Sequence, residues 1–205
     1  EEVEVLLPSL IVLNRLLKYT VNDSILLSNV LLSDAVMFEM LFPKEASFVV
    51  KAYEEFTLQS ATSIAERFGR DLNHISRVSS VALEIYDKMK KLHGYKLRER
   101  TLLQVSAILQ DIGKYVNVKN HALLSYNTIT NLDIVGINDH ERLIIATVCY
   151  YHNGNIPSMD SPIYNQLSQE DRVMVSKLAA ILQISNAINT SHSPKFEQVN
   201  EVGRP

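Results

Sequence analysis

The run TLLQVSAILQDIGKY, residues 101–115, is the feature that most constrains the fold of this chain. It is almost continuously apolar over a helical length, which is typical of the central buried helix of a helical protein. Leu103, Ala107 and Asp111 are spaced by four, so the carboxylate projects from the same face as buried side chains. Because an ionised group in a core is costly, we expect a cation, a metal ion or several hydrogen-bond donors beside Asp111.

Composition limits the class of protein and the class of partner. The 205 residues, of which 46% are hydrophobic and 21% charged, suffice to bury a sizeable core as one domain, or as one domain plus a fragment. The net charge of −3 gives no general attraction to nucleic acid or to an anionic membrane. The single Cys149 excludes an internal disulfide, no apolar run reaches transmembrane length, and the N-terminus is acidic where a signal peptide would be basic. We therefore predict a cytoplasmic protein with no membrane and no nucleic-acid partner.

Residues 1–42 differ from the rest of the chain. The stretch PSLIVLNRLLKY, residues 8–19, predicts a helix, residues 25–27 a short strand, and residues 33–41 a second helix. One strand between two helices cannot form a stable sheet alone. We therefore predict a short α/β remnant at the N-terminus, the end of an α/β domain.

From residue 43 onward the pattern is helical almost throughout, which predicts a mostly α fold for residues 43–205. Two capping-box spacings, Asn138 to Glu141 and Ser168 to Asp171, predict helix starts before apolar runs. The predicted helices cover residues 44–68, 71–92, 101–115, 120–131, 143–151 and 172–188.

A set of polar residues interrupts the apolar faces of these helices, and each is predicted to be buried by its helical spacing. Five separate helices contribute to it. Imidazole and carboxylate together suit a first-row divalent metal ion, which could bind a phosphate and activate water. The set consists of His74, Gln110, Asp111, His121, His152 and Asn186.

The order of these residues resembles the HD superfamily of metal-dependent phosphohydrolases, whose signature is a His, a His-Asp pair and a distal Asp. More closely, residues 71–192 resemble the helical domain of the exopolyphosphatase and guanosine pentaphosphate phosphatase (Ppx/GppA) family. The stretches that carry this resemblance are DLNHISRVSSVALEIYDKM, LLQVSAILQDIGKYVNVKNHALLSYNTI, ERLIIATVCYYHNG and KLAAILQISNAINTSH. EVLLPSLIVLNRLL and SILLSNVLLSDAVMFEML resemble the last helix, strand and helix of that family's actin-like domain. The resemblance implies an actin-like remnant at residues 1–42 and an HD-like all-α domain at residues 43–205.

This chain departs from the HD signature at two of its four positions. His74 and Asp111 match it, but Gln110 stands where the signature has His, and Asn186 where it has Asp. Amide oxygens are much weaker ligands for a transition metal than imidazole or carboxylate. We therefore expect a degenerate pocket without a metal, held by hydrogen bonds among these four residues, with His121 and His152 in the same vestigial pocket.

The resemblance implies that the parent protein hydrolyses phosphoanhydride bonds of polyphosphate or guanosine pentaphosphate, with magnesium, in its actin-like domains. For this chain we predict an accessory domain without catalytic residues or cofactor, which forms a homodimer and extends a polyanion-binding surface. The basic stretch KMKKLHGYKLRER supplies the predicted polyanion-binding residues, which are Lys88, Lys90, Lys91, Lys96, Arg98 and Arg100.

Two alternative functions remain open on the sequence. The first is a metal-dependent HD phosphohydrolase that acts on a nucleotide, with His74, Asp111, His121 and His152 as ligands. The second is a pure protein-interaction domain without a small ligand. Taken singly, each of these polar residues is also compatible with a structural role, as hydrogen-bonded core histidines, a paired carboxylate and a solvated basic helix end.

Overall fold

The computed structural model describes residues 2–20, 36–37, 40 and 47–190, and the chain divides into two compact units, Glu1–Ser47 and Phe48–Pro205. In the first unit, helix α1 spans Glu2–Lys18 and contains Pro8 in its interior. The helix starts earlier than predicted because the apolar pattern continues upstream of Pro8, and a proline there costs a hydrogen bond without ending the helix. The predicted strand at residues 25–27, and most of the predicted helix at residues 33–41, lie outside the described residues.

From Ser47 to residue 190 the chain forms helices joined by turns and loops, with no strand in this range, so the mostly α prediction is confirmed. None of the described helices has the length and apolar content needed to cross a membrane. The helices are α2 (Ser47–Arg67), α3 (Leu72–Lys88), α4 (Lys90–His93), α5 (Leu97–Leu109), a short 3₁₀ helix (Ile112–Tyr115), α6 (His121–Ile129), α7 (Asp139–Tyr151), α8 (Pro162–Asn165) and α9 (Gln169–Thr190).

Helix α5 is the buried centre of the second unit, as predicted. Eight of its 13 residues are buried, and Leu103 and Ala107 have no exposed surface. It packs between α3 and α7, while α9 lies against both of these helices. The α-helix ends at Leu109, earlier than predicted, and the chain tightens into the 3₁₀ helix that follows Asp111.

Gly113 allows this 3₁₀ helix to lie directly against the first turn of α6. A Cβ atom at Gly113 would lie 2.2 Å from the carbonyl oxygen of His121 and 2.5 Å from the amide nitrogen of Ser125. The Gly113 amide donates to Ser125 Oγ at 2.9 Å, and that hydroxyl donates to the carbonyl of Gln110 at 2.7 Å. These contacts set the position of Asp111 relative to His121.

Both predicted capping boxes lie at helix starts. Asn138 Oδ1 accepts the Glu141 amide at 2.9 Å, and Glu141 Oε2 accepts the Asn138 amide at 3.2 Å, so the first box is complete. At the second, Ser168 Oγ accepts the Asp171 amide at 3.1 Å. The first box opens α7, the helix whose end carries His152.

Gly113→Ala should lower the free energy of unfolding by about 3 kcal/mol, the upper end of the usual cost of overpacking, because the added methyl group meets backbone atoms. Gly94→Ala is the control. Its added methyl group meets no atom within 4 Å, so the cost comes from the left-handed φ of +72° and is about 1–2 kcal/mol. Urea unfolding of both variants measures the difference. A Gly113→Ala protein as stable as Gly94→Ala would contradict the close contact.

Candidate functional site

Asp111 lies at the end of α5 and is only 6% exposed. Its Oδ2 atom lies 2.7 Å from Lys114 Nζ and 3.3 Å from Arg70 Nη2. Lys114 comes from the adjoining 3₁₀ helix, and Arg70 from the turn between α2 and α3. The expectation of a cation beside this buried carboxylate is therefore confirmed.

The other carboxylate oxygen faces two imidazole rings. Asp111 Oδ1 lies 3.3 Å from His152 Nε2 and 3.6 Å from His121 Nε2, and all three side chains are buried. This oxygen has no hydrogen-bond partner within the described part of the chain. The structure thus brings together three of the residues that were predicted to share a pocket.

Backbone carbonyl groups determine which nitrogen of each ring carries the proton. His121 Nδ1 lies 2.8 Å from the carbonyl oxygen of Val118, and His152 Nδ1 contacts the carbonyl oxygen of Cys149. Because a carbonyl oxygen only accepts, both Nδ1 atoms must carry hydrogen. In the neutral rings, the lone pair on each Nε2 therefore lies on the side of Asp111.

The charges of the site follow from burial and from these contacts. Burial raises the pKa of Asp111, but the ammonium group of Lys114, which donates a hydrogen bond to Oδ2, lowers it, and the net pKa lies well below its usual range. Burial lowers the pKa of His121, and the hydrogen bond to Val118 offsets this in part. Asp111 is thus an anion and His121 a neutral base at pH 7.

Gln110 and Asn186, the two departures from the HD signature, bond to each other. Gln110 Nε2 donates to Asn186 Oδ1 at 3.1 Å, and Asn186 Nδ2 donates to Gln110 Oε1 at 2.7 Å. Gln110 is 2% exposed. Amide oxygens are weak ligands for a transition metal, and each of these two already accepts a hydrogen bond from the other residue, so this pair does not fit a metal ion.

His74, the remaining signature position, lies slightly outside the core. Its Nδ1 accepts a hydrogen bond from Asn189 Nδ2 at 2.9 Å, and Arg77 Nε donates to Asn189 Oδ1 at 3.3 Å. Burial lowers the pKa of His74, and the negative charge of Asp111 offsets this in part. The prediction that His74 and Asn186 are buried is wrong, since both are half-buried. The buried face of α3 runs through Ile75, and the preceding residue, His74, therefore lies beside that face.

The expected network among the four signature positions takes the form of separate sets of hydrogen bonds. Gln110 bonds to Asn186, His74 bonds to Asn189, and Asp111 bonds to Arg70 and Lys114. Sequence reasoning missed both cations. Lys114 carried a signal, its spacing of three from Asp111. Arg70 carried none, since 41 residues separate it from its partner.

Carboxylates bind half of the predicted polyanion-binding cations. Arg98 pairs with Glu141 and also donates to the carbonyl of Gly136 at 2.7 Å. Arg100 holds Asp87 through both carboxylate oxygens, and Lys88 pairs with Glu84 on the surface of α3. The other three, Lys90, Lys91 and Lys96, are exposed and make no ion pair with a described residue.

Cys149 lies inside α7 and is fully buried. Its thiol donates to the carbonyl of Ser106 at 3.4 Å, and burial raises the pKa of this thiol well above its usual value. A protonated, inaccessible thiol is a poor nucleophile. Cys149 is therefore a buried, inert residue of the core.

A comparison with family models finds one that matches most of the second unit. The model of the Ppx/GppA phosphatase, domain III, matches residues 58–202, more than half of the chain. The matched range includes the whole cluster around Asp111 and the pair of Gln110 and Asn186.

Asp111→Asn should lower the free energy of unfolding at pH 7 by about 2–3 kcal/mol, because Arg70 and Lys114 lose a buried counter-charge. The lowered pKa of Asp111 means that its stabilisation is complete above its unfolded pKa of about 3.9 and is lost as pH falls below that value. The gap between wild type and variant should therefore be smaller at about pH 3 than at pH 7.

Urea unfolding at both pH values measures this gap. The control is Glu84→Gln, which removes the carboxylate of an exposed pair with Lys88 and should change stability by no more than about 0.5 kcal/mol. A gap for Asp111→Asn that does not change between the two pH values would show that the charge of Asp111 is not what stabilises the site.

Proposed function

The chain belongs to the Ppx/GppA phosphatase family, and we propose that its helical unit is an accessory domain that performs no catalysis itself. In this proposal the parent protein hydrolyses phosphoanhydride bonds of polyphosphate or a guanosine polyphosphate, and this domain contributes a polyanion-binding surface and a homodimer contact. The proposed location is the cytoplasm.

The single observation that carries the non-catalytic role is the reciprocal hydrogen bonding of Gln110 and Asn186. In the HD signature these positions supply an imidazole and a carboxylate to a metal ion. Here both side chains are neutral, and their hydrogen bonds join Gln110, the residue that follows α5, to α9. The pair supports a role in which helix packing has replaced metal ligation at these positions.

The polyanion-binding part rests on exposed lysines near α4. Lys90, Lys91 and Lys96 are exposed and make no ion pair with a described residue, so their charges are available to a ligand. Arg98 and Arg100 are not available in the same way, because each is held in an ion pair with a carboxylate. Exposed cations of this kind attract a polyanion with little sequence or shape selectivity.

The test of the non-catalytic role is phosphate release from polyphosphate and from guanosine pentaphosphate by the 205-residue chain, with magnesium or manganese. We expect release no faster than in buffer alone. The matched control is Asp111→Asn, assayed under identical conditions. Release by the wild-type chain that Asp111→Asn abolishes would contradict the proposal and would favour the HD phosphohydrolase alternative.

Replacing Lys90, Lys91 and Lys96 together by Gln should weaken polyphosphate binding about tenfold, from roughly 0.5 kcal/mol for each exposed ion pair. The matched control replaces Lys51, Arg67 and Lys119 by Gln; these residues are exposed on other segments of the same unit, and the net charge changes equally. Fluorescence anisotropy with labelled polyphosphate at two salt concentrations measures the affinity. Equal losses of affinity in the two variants would contradict a binding surface near α4.

Sedimentation of the same samples tests the proposed homodimer.

A further inference from the structure

We propose that Asp111, His121 and His152 form a binding site for one first-row divalent metal ion such as Zn²⁺ or Co²⁺. The ligands are Asp111 Oδ1 and the Nε2 atoms of both histidines. This site shares only Asp111 with the HD signature, and it does not depend on the accessory role proposed above. It departs from the expectation of a metal-free pocket.

The first argument is that the three atoms all offer lone pairs to the same point. Asp111 Oδ1 is buried and has no hydrogen-bond partner among the described residues. The two Nε2 atoms carry no hydrogen in the neutral rings, because the carbonyls of Val118 and Cys149 hold the hydrogen on Nδ1. Three converging lone pairs repel one another unless a cation lies between them, and either a proton or a metal ion can fill that role.

The second argument is geometric. In a tetrahedral site with metal–ligand bonds of about 2.0–2.1 Å, two ligand atoms lie about 3.3–3.4 Å apart. Asp111 Oδ1 lies 3.3 Å from His152 Nε2 and 3.6 Å from His121 Nε2. All three ligand atoms lie within 4.8 Å of one another, so a small closing movement of the rings completes the arrangement.

The third argument is the outer shell. Histidines that bind metal usually donate their other N–H to a carbonyl or carboxylate, and ligating carboxylates are hydrogen-bonded in turn. Both histidines donate to carbonyl oxygens, and Lys114 and Arg70 bind Asp111 through Oδ2, which leaves Oδ1 for the ion. These contacts orient all three side chains before any ion binds.

The cations of the site also indicate the fourth ligand. Arg70 and Lys114 outnumber the single carboxylate, so a divalent ion here would favour an anionic fourth ligand, hydroxide or a phosphate oxygen. The buried Nε of Arg70 has no hydrogen-bond partner among the described residues, and it could donate to such an anion.

Titration of the chelator-treated chain with Zn²⁺ by calorimetry, and with Co²⁺ by visible absorption, tests the site. We expect one ion per chain. His121→Gln and His152→Gln should each weaken binding by at least about 100-fold, the upper range for losing even an outer-shell partner. Thermal unfolding gives a second readout, since Zn²⁺ should raise the Tm of the wild type and not of these variants.

Two control variants separate this site from other imidazole sites. His74→Gln removes a ligand of the HD signature that has no part in the proposed site, and His140→Gln removes an imidazole with 63% side-chain exposure. Both should bind Zn²⁺ as the wild type does. Loss of binding in His74→Gln with retention in His121→Gln, or no binding by the wild type, would overturn the proposal.

If a histidine variant fails to fold, the imidazole ¹⁵N spectrum of the wild type shows whether the ion binds to these two rings. Zn²⁺ should shift the Nε2 resonances of His121 and His152 and leave their Nδ1 protons in place, and unchanged resonances would overturn the site. Phosphate release by the Zn²⁺-loaded chain would contradict the non-catalytic role without affecting the metal site. Absence of Zn²⁺ binding would overturn the metal site and leave the accessory role standing.

Discussion

A carboxylate buried at the end of the central helix has to be compensated, and two segments of the second unit bring cations to Asp111 for that reason. The turn after α2 supplies Arg70 and the 3₁₀ helix supplies Lys114, while α6 and α7 place two imidazoles beside the other carboxylate oxygen. An isolated charge in this place would cost several kcal/mol, so each contact depends on the others. Gly113 permits the approach, because any larger residue would separate the 3₁₀ helix from α6.

The polar groups at this end of the bundle fall into two kinds of environment. Gln110 and Asn186 bond to each other and are neutral at any pH, which suits a position where helices only need to pack. The neighbouring set around Asp111 carries charge, orphaned lone pairs and oriented imidazoles. In the proposed accessory domain, helix packing at one position can thus coexist with ligand chemistry at the neighbouring one. The proposed accessory role and the proposed metal site are compatible for this reason.

Local sequence patterns predicted the features of this structure that depend on residues close together in the chain. The apolar run identified the buried central helix, and both capping boxes lie at helix starts. The helical period predicted the burial of His121 and His152, and the family resemblance placed them with Asp111. Side-chain pairing was not predictable in the same way. Arg70 reaches Asp111 across 41 residues, and Arg98 reaches Glu141 across 43, so tertiary packing alone determines these partners. The half-exposure of His74 likewise depends on which face of α3 meets its neighbours.

The central claim is that the Nε2 lone pairs of His121 and His152 converge on Asp111, and the tautomeric state of the two rings tests it most directly. Long-range ¹H–¹⁵N correlation spectra of the metal-free chain at neutral pH distinguish a protonated nitrogen from one with a lone pair. The account predicts that His121 carries its proton on Nδ1, bound to the carbonyl of Val118, and that His152 does the same toward Cys149. A neutral Nε2–H tautomer in both rings would contradict it, because Asp111 would then accept two ordinary hydrogen bonds.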